Sequence, residues 1–318
     1  MADVTNTTAS GGLSVEMKTF YSMELLREMK PKLLHVQYGQ KRAIPKNHGK
    51  NVEFRQWGAF EPATKPLTEG VTPEGHAMSA TAITATVAQY GDYVRVTDML
   101  KLTALDNVVL EATRANADQA ALTLDHLTRD VIAAGTNVLY AAGTQRSAIA
   151  STNVLTSTLL RKAVRTLKKN KARPFFRNGK PYYMCIVGPD TAYDLQSDAD
   201  WKDVSKYQQA EKIESGEIGR IYGCIIVETT EAKIFEGAGA SSADVAATLV
   251  FGQDSYGVID VSGAGAVKSG AVQVYVETAG GNNDPLHQRN TIGWKIPAFV
   301  AKILHQGWIV RIEHGISA

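Results

Sequence analysis

Three side chains that could do acid–base chemistry stand close together near the end of the sequence. In the stretch GGNNDPLHQRNTIGWK, residues 280–295, an acid, an imidazole and a guanidinium occur at Asp284, His287 and Arg289. General acid–base catalysis requires such groups to converge on one pocket, where their surroundings shift their pKa values. If they converged here, the chain would be a hydrolase or transferase acting through Asp284 and His287.

The same stretch is rich in residues that turn a chain. Asn, Asp, Gly and Pro favour turns because of their backbone preferences, and a turn needs no convergence of charged side chains. The charged residues also lie within six consecutive positions, as they would in a connector between two modules. The sequence therefore favours a hinge formed by Gly280, Gly281, Asp284 and Pro285 over a catalytic site.

Other motifs of catalysis or ligand binding are incomplete. The stretches GAGASS and GAGAVK lack the third glycine and the strand–turn–helix setting of a dinucleotide-binding fingerprint, and there is no Walker motif. Ser255 in GQDSYG lacks the glycine two positions earlier that a nucleophile elbow requires. The histidines form no HExxH motif, and Asp198 and Asp200 in SDADW are more typical of a solvated helix end than of a metal site. We therefore expect no cofactor, no metal ion and no enzymatic activity.

Composition and charge exclude further classes of protein. The 34 basic and 32 acidic residues give a net charge of +2, which is too weak to indicate a nucleic-acid-binding protein. The densest basic run, RTLKKNKARP at 165–174, is more typical of the solvated side of a helix than of a nucleic-acid-binding surface. Cys185 and Cys224 lie far apart in apolar runs, which favours free thiols in a reducing compartment. The sequence shows neither a signal peptide nor a continuous apolar run of about 18 residues, so we expect no membrane segment.

One long helix is the strongest secondary-structure signal. Apolar residues recur on one helical face from Leu102 to Val131, which predicts a helix over about 107–134. Asp106 is the expected N-cap, and Gly135 is the expected stop. The region from about 150 to 280 alternates helical and strand patterns, which indicates a mixed α+β module.

A long hairpin is predicted before this helix. KNVEFRQW reads as a strand, and residues 79–98 alternate small and β-branched side chains, with a bend expected at Gly91. Together they predict a two-stranded hairpin over residues 50–96 that extends from the body. Because an isolated hairpin is at best marginally stable in water, we expect it to lie on a neighbouring subunit.

Four blocks of sequence resemble the N4-gp56 family of major capsid proteins of tailed bacteriophages. They are ATVAQYGDYVRVTDMLKLTALDNVVLEAT, LDHLTRDVIAAGTNVLYA, GEIGRIYGCIIVETTEA and GGNNDPLHQRNTIGWKIPAFVAKIL, which occur in the family's order, and the resemblance runs over roughly residues 17–313. The resemblance implies an α+β HK97-like major capsid fold. Such a subunit has an N-terminal arm, an extended β-hairpin loop, a peripheral (P) domain with a long spine helix, and an axial (A) domain.

The resemblance also implies a division of the chain. The N-terminal arm would cover 1–45, the extended loop (E-loop) 46–96, the P domain 97–149 and 283–318 with its spine helix at about 107–134, and the A domain 150–282. The proposed hinge would then lie where the chain crosses from the A domain back to the P domain.

The implied function is structural. The chain would be a late protein that self-assembles, as pentamers and hexamers, into the icosahedral shell that encloses the phage genome. It would be found in the virion, after assembly in the host cytoplasm. Besides other copies of itself, its implied partners are a portal, a separate scaffolding protein, decoration proteins and packaged double-stranded DNA bound without sequence specificity, with no membrane.

Residues of the extended loop are the expected inter-subunit contacts. They are Phe54, Trp57, Phe60, Lys65 and Glu69. Exposed ion pairs contribute only about 0–1 kcal/mol each, so the aromatic side chains should matter more than the charges. Two alternatives stay open: an encapsulin-like or other self-assembling shell or tail protein, and a cytoplasmic enzyme that uses Asp284 and His287.

Overall fold

The computed structural model describes residues 25, 33–43, 50–58, 60–72, 75–103, 107–198, 201, 217–260, 273–278 and 288–317. Within these residues the chain has a mixed α+β fold. The helices are α1 (Leu34–Gln37), α2 (Asp98–Thr103), α3 (Val108–Ala133), α4 (Ser157–Lys169) and α5 (Pro189–Ser197). The first strands are β1 (Gln40–Arg42), β2 (Asn51–Trp57), β3 (Ala80–Thr86), β4 (Ala88–Thr97), β5 (Val138–Tyr140), β6 (Phe175–Arg177), β7 (Lys180–Val187) and β8 (Glu217–Ile221). They are followed by β9 (Cys224–Glu228), β10 (Lys233–Phe235), β11 (Val245–Phe251), β12 (Tyr256–Ile259), β13 (Gln273–Thr278), β14 (Arg289–Phe299), β15 (Ala301–Ile303) and β16 (Ile309–Gly315).

An eight-stranded mixed sheet forms the centre of the molecule. Its main strand order is β5-β16-β11-β7-β9-β8, and β10 and β6 pair with β11 and β7. In β7, Met184 and Ile186 join the core around α3, whereas Cys185 and Val187 join the core around α4 and α5. The sheet is therefore covered on both faces, which explains why its strands read as continuous apolar runs.

The long helix α3 forms where the sequence predicts it, with one correction at its start. Its N-cap is Asn107, whose side chain accepts a hydrogen bond from the backbone N–H of Leu110 at 3.3 Å. The expected cap, Asp106, lies outside the described residues. At the other end, the N–H of Gly135 donates to the carbonyl of Ile132, so the stop is at the expected place.

A three-stranded antiparallel sheet, β13-β14-β4, packs on α3. Asn116 Nδ2 donates to the carbonyl oxygen of Ile292 at 3.0 Å, and Trp294 Nε1 donates to Gln119 Oε1 at 3.0 Å. Gln119 Nε2 in turn donates to Asp92 Oδ2 at 2.6 Å, which helps to hold the pKa of that carboxyl below its usual value. Two polar residues of the helix thus fix the positions of both neighbouring strands.

The predicted hairpin is shorter than the sequence pattern indicates. β2 pairs with β3 from Asn51↔Thr86 to Trp57↔Ala80, but β4 pairs with β14 instead. The strand pattern is interrupted at Val87, not at Gly91, which lies inside β4. The paired hairpin therefore ends at residue 86 and does not continue to residue 96 as the sequence pattern predicts.

The last strand also departs from the expected domain division. β16 lies between β5 and β11 in the central sheet, with Val245 paired to Gly315 and Phe251 to Ile309. β14 and β15 pack against α3, whereas β16 completes the sheet built mainly from residues 175–251. Conversely, two strands from the expected A domain lie outside the central sheet: β12 pairs with β1 and β15, and β13 pairs with β14.

A buried polar cluster fixes α1 to α3. The backbone N–H and Nδ1 of His35 lie 2.7 Å and 2.6 Å from the two carboxylate oxygens of Asp125. The hydroxyl of Tyr256 donates to the carbonyl of His35 at 2.5 Å. All three residues are buried, so the segment that leads into the extended loop is held firmly to the core.

A second buried histidine predicts how stability depends on pH. Burial lowers the pKa of His314, whose Nδ1 lies 2.8 Å from the carbonyl of Gly315 and whose Nε2 lies 2.9 Å from Thr248 Oγ1. Because only the unfolded chain takes up this proton near pH 6.5, stability is complete above that pH and declines as the pH falls below it. One proton gives a slope of at most about 1.4 kcal/mol per pH unit.

Urea unfolding of the unassembled chain between pH 7.5 and 5.5 measures this slope. His314→Gln should flatten it, because an amide can still accept from Thr248 but does not titrate. His76→Gln, in an exposed segment, is the matched control and should leave the slope unchanged. Equal slopes for all three proteins would show that His314 does not carry the effect.

Candidate inter-subunit surfaces

The residues proposed for a hinge or for acid–base chemistry lie mostly outside the described part of the chain. These are Gly280, Gly281, Asp284, Pro285 and His287. Arg289 is described, and it begins β14, paired with Thr97 of β4. The hinge therefore stays a prediction, with β13 and β14 as the strands on either side of it.

The other candidates for chemistry have structural roles where they are described. Ser255 is buried, and its backbone carbonyl accepts hydrogen bonds from the N–H groups of Leu304 and His305. Asp198 Oδ2 accepts from the N–H of Ser157 at 2.8 Å and so caps the start of α4. Among the described residues, no three His, Cys, Asp or Glu side chains are grouped as a metal site would need.

Both cysteines are buried free thiols on the neighbouring strands β7 and β9, and both belong to the core around α4 and α5. Burial raises the pKa of Cys224 to about 12 and also raises that of Cys185. Because the thiolate is the reactive form, neither side chain is poised for nucleophilic or redox chemistry at neutral pH.

In the part of the chain that is described, no helix is both long and apolar enough to cross a membrane.

The end of the extended loop has almost no contact with its own subunit. Every described residue from 57 to 82 is exposed, and a hydrogen bond from Gly58 N–H to the carbonyl of Ser79 closes the paired part of the hairpin. Beyond that bond lie residues 60–72 and 75–78, here called the loop tip. Large apolar side chains of Trp57 and the loop tip point into solvent; they are Trp57, Phe60, Leu67, Val71 and Met78. Five large apolar side chains exposed in one segment mark an interaction surface.

The proposed contact residues divide into two groups. Trp57 is 57% exposed, and Phe60, Lys65 and Glu69 are also exposed, so they are available to a neighbour. Phe54 is only 1% exposed and is not available. Its placement among the inter-subunit contacts was therefore wrong.

Phe54 anchors the hairpin to its own subunit. A Cβ placed on Gly257 of β12 would lie 2.3 Å from Cε1 of Phe54, so the ring packs directly on the glycine backbone. Val52 and Ala85 are buried beside it, while Glu53 and Arg55 on the opposite face stay in solvent. This period of two shows that the base of the hairpin has one core face, and that only its far end is free.

An exposed sheet face on the same subunit was not predicted from the sequence. The face of β13-β14-β4 turned away from α3 carries an open groove of about 590 Å³ between Tyr93 and Tyr275. Gly293 of β14 pairs with Tyr275 on one side and with Tyr93 on the other. Two residues further along β14, Lys295 pairs with Gly91 of β4. Glycines at these paired positions could have indicated the groove, because they remove side chains from one face of adjacent strands.

A second exposed apolar patch follows β4. Met99, Leu100 and Leu102 of the short helix α2 are all exposed, the last at 80%. Together with the loop tip and the groove, this patch makes three exposed surfaces with large apolar side chains on one subunit, and contiguous apolar patches of this kind mark interaction sites. Exposed apolar surfaces of this kind indicate that other protein chains cover them in an assembly.

Solved structures with a similar fold are subunits of large shells. The capsid of Ralstonia phage GP4 matches with a TM-score of 0.69 at 15% identity, over 88% of each chain. The capsid asymmetric unit of cyanophage Pam1 matches with a TM-score of 0.63 at 15% identity, over the whole of both chains. A virus-like particle from Pyrococcus furiosus also matches, with a TM-score of 0.53 at 9% identity over 94% of this chain and all of the other. At these identities the comparisons show the fold alone.

A comparison of the sequence with protein-family models identifies the family of the chain. No curated protein matches the chain significantly. The family described as "Phage capsid protein" matches residues 80–312, which is more than two thirds of the chain. The exposed loop tip, the mixed α+β fold and this match agree, and the chain belongs to the phage capsid protein family, whose members are structural proteins of the virion shell.

Proposed function

We propose that this chain is the major capsid protein of a tailed phage, with the HK97-like arrangement and of the N4-gp56 type. Rings of five and six copies would close into an icosahedral shell around the genome. The observation that carries the proposal is the loop tip, since it holds large apolar side chains away from its own subunit. A solitary subunit would gain nothing from exposing them.

The domain division is proposed in amended form. The N-terminal arm covers 1–45, and the extended loop covers 46–86. The P domain combines residues 88–149 with β13, β14 and β15, because these strands pack with α3 or join its sheets. The A domain combines residues 150–259 with β16, apart from β12, which pairs with β1 and β15. In this division the chain crosses from the A domain to the P domain before β13, between residues 259 and 273. Gly280, Gly281, Asp284 and Pro285 would then form the connection between the paired strands β13 and β14, and not an inter-domain hinge.

The groove between Tyr93 and Tyr275 is the proposed seat for a neighbour's loop tip. Both surfaces are exposed on the same subunit; the loop tip carries large apolar side chains, and the groove lies between two tyrosine side chains. Repetition of this contact around a ring would bury both surfaces in every copy, which is the head-to-tail arrangement of a closed ring. Trp57 and Phe60 are the side chains best suited to fill the groove, because aromatic anchors dominate such contacts.

Size-exclusion chromatography and negative-stain electron microscopy of the purified full chain test the proposal. We expect rings or closed shells of megadalton size, and slowed hydrogen exchange at residues 60–72 in particles relative to the unassembled chain. A protein that stays monomeric or forms a small oligomer at every concentration and salt tested would contradict it. A shell that holds cargo protein and excludes DNA when made in infected cells would instead favour the encapsulin-like alternative.

A further inference from the structure

The positive charge of the chain is concentrated in one segment. Residues 131–189 contain ten of the 34 basic residues and none of the 32 acidic ones. The rest of the chain therefore carries 24 basic against 32 acidic residues, so the net charge of +2 conceals two regions of opposite sign. Such asymmetry indicates a partner of opposite charge.

The structure gathers half of this charge on one side of α4. Its cationic residues are exposed and follow one another at spacings that share one helical side; they are Arg161, Lys162, Arg165, Lys168 and Lys169. This set is here called the basic face. It spans about 12 Å at about 1.5 Å per residue. The opposite side of the helix is held in the core by residues such as Leu160 and Leu167, so the basic face is rigidly presented.

The basic face is not neutralised by the described part of its own subunit. Of the ten cations in the segment, Arg146 pairs with Glu313, Arg177 pairs with Glu217, and Arg173 lies 3.9 Å from Asp254. No ion pair among the described residues involves the five residues of α4; Arg161 instead lies over the ring of Tyr222, 5.0 Å from its centre. Seven of the ten cations therefore have no ion pair among the described residues, and five of these seven lie together on α4; the other two are Lys171 and Lys180.

We propose that the basic face of α4 binds the phosphate backbone of double-stranded DNA without reading its sequence. An acidic protein is the less suitable partner, because protein interfaces have apolar centres and are depleted in lysine. Residues 157–171 expose no large apolar side chain around which such a centre would form. Nor do they carry an aromatic residue for base stacking, so contacts to phosphate are the chemistry that this surface offers.

This inference rests on the proposed function, since it assumes that copies of the chain surround a genome. It places α4 on the inner side of the shell. Each subunit would contribute a few phosphate contacts, too weak to hold DNA alone but repeated in every copy.

The test compares two triple variants of the full-length chain. Lys162→Gln, Arg165→Gln and Lys169→Gln together neutralise most of the basic face. Lys41→Gln, Arg42→Gln and Lys302→Gln remove the same charges from exposed positions elsewhere. Binding of a random-sequence 30-base-pair DNA is followed by fluorescence anisotropy between 25 and 200 mM NaCl. We expect the α4 variant to bind roughly tenfold more weakly or worse, with a salt slope lower by about three, and the control to match the wild type within about twofold.

Assembly of the same proteins separates this inference from the proposed function. If the α4 variant binds DNA like the wild type but no longer assembles, the basic face is a contact between copies and the inference is overturned. Equal losses in both variants would also overturn it, because binding would then follow bulk charge. A wild-type chain that binds DNA through α4 but never forms shells would support the inference and contradict the proposed function.

Discussion

Removal of the loop tip should leave a folded subunit that cannot build shells. The hairpin pairs up to Trp57↔Ala80, and Gly58 and Ser79 close it with a hydrogen bond. Residues 59–78 can therefore be replaced by Asn-Gly, the two-residue turn that suits such a hairpin. Since every described residue removed is exposed, we expect the free energy of unfolding to change by no more than about 1 kcal/mol. Particles should be absent in electron micrographs.

A second variant shows whether side chains or mere length matter. Residues 60–72 are replaced by a Gly/Ser segment of equal length, which keeps the reach of the loop but removes Phe60, Leu67 and Val71. Full burial of each such side chain is worth about 1.5–3 kcal/mol, and the loss recurs at every interface of the shell. We expect this variant also to fail in assembly. Normal shells from either variant would refute the assignment of the loop tip as an inter-subunit contact.

The local structure of this chain was largely predictable from its sequence. The long helix was expected at about 107–134 and occurs at Val108–Ala133, because its apolar stripe and its end signals are both local. β2 was found for the same reason, from the strand pattern of KNVEFRQW. Helical and strand periods are properties of neighbouring residues, so a single sequence carries them.

Strand pairing was less predictable, because it depends on partners far away in the chain. Residues 79–98 show one continuous strand pattern, yet β3 pairs with residues 51–57 and β4 with residues 289–299. An alternating pattern shows which side chains share a face but not which strand lies beside them. The same limit applies to β16, because its apolar run does not show that it lies between β5 and β11.

The exposed sites show the same difference between local patterns, which the sequence carries, and long-range pairing, which it does not. Trp57 and Phe60 are exposed, as a hairpin that extends from the body requires, and their contact with a neighbour stays a prediction. Phe54, three residues before Trp57, was misjudged because nothing local shows that Gly257 leaves room for its ring. The groove between Tyr93 and Tyr275 was missed because it exists only once β13, β14 and β4 are paired.

Substitution of Glu313 should have the largest effect on the stability of the single subunit. Glu313 is fully buried in β16, and its Oε1 and Oε2 accept from Arg146 NH2 and Nε at 2.7 Å and 2.8 Å. Hydrogen bonding to Glu313 is also the chief cause of the raised pKa of Arg146. Arg311 Nε lies 2.8 Å from the same carboxylate, and its NH1 donates to the carbonyls of Ala133 and Gly135 at the end of α3. This one carboxylate therefore links the central sheet to the long helix.

Glu313→Ala leaves two guanidinium groups facing each other with their shared counter-charge removed. Loss of one partner from a buried ion pair costs about 3–5 kcal/mol, whereas loss from an exposed pair costs about 0–1 kcal/mol. Glu53→Ala is the matched control, since Glu53 also lies in a strand and pairs with an arginine, Arg55, but both are exposed. Urea unfolding of the unassembled chain at pH 7.5 should show a loss of several kcal/mol for Glu313→Ala and of less than about 1 kcal/mol for Glu53→Ala. Similar losses in the two variants would mean that the link between the sheet and the end of α3 does not depend on this carboxylate.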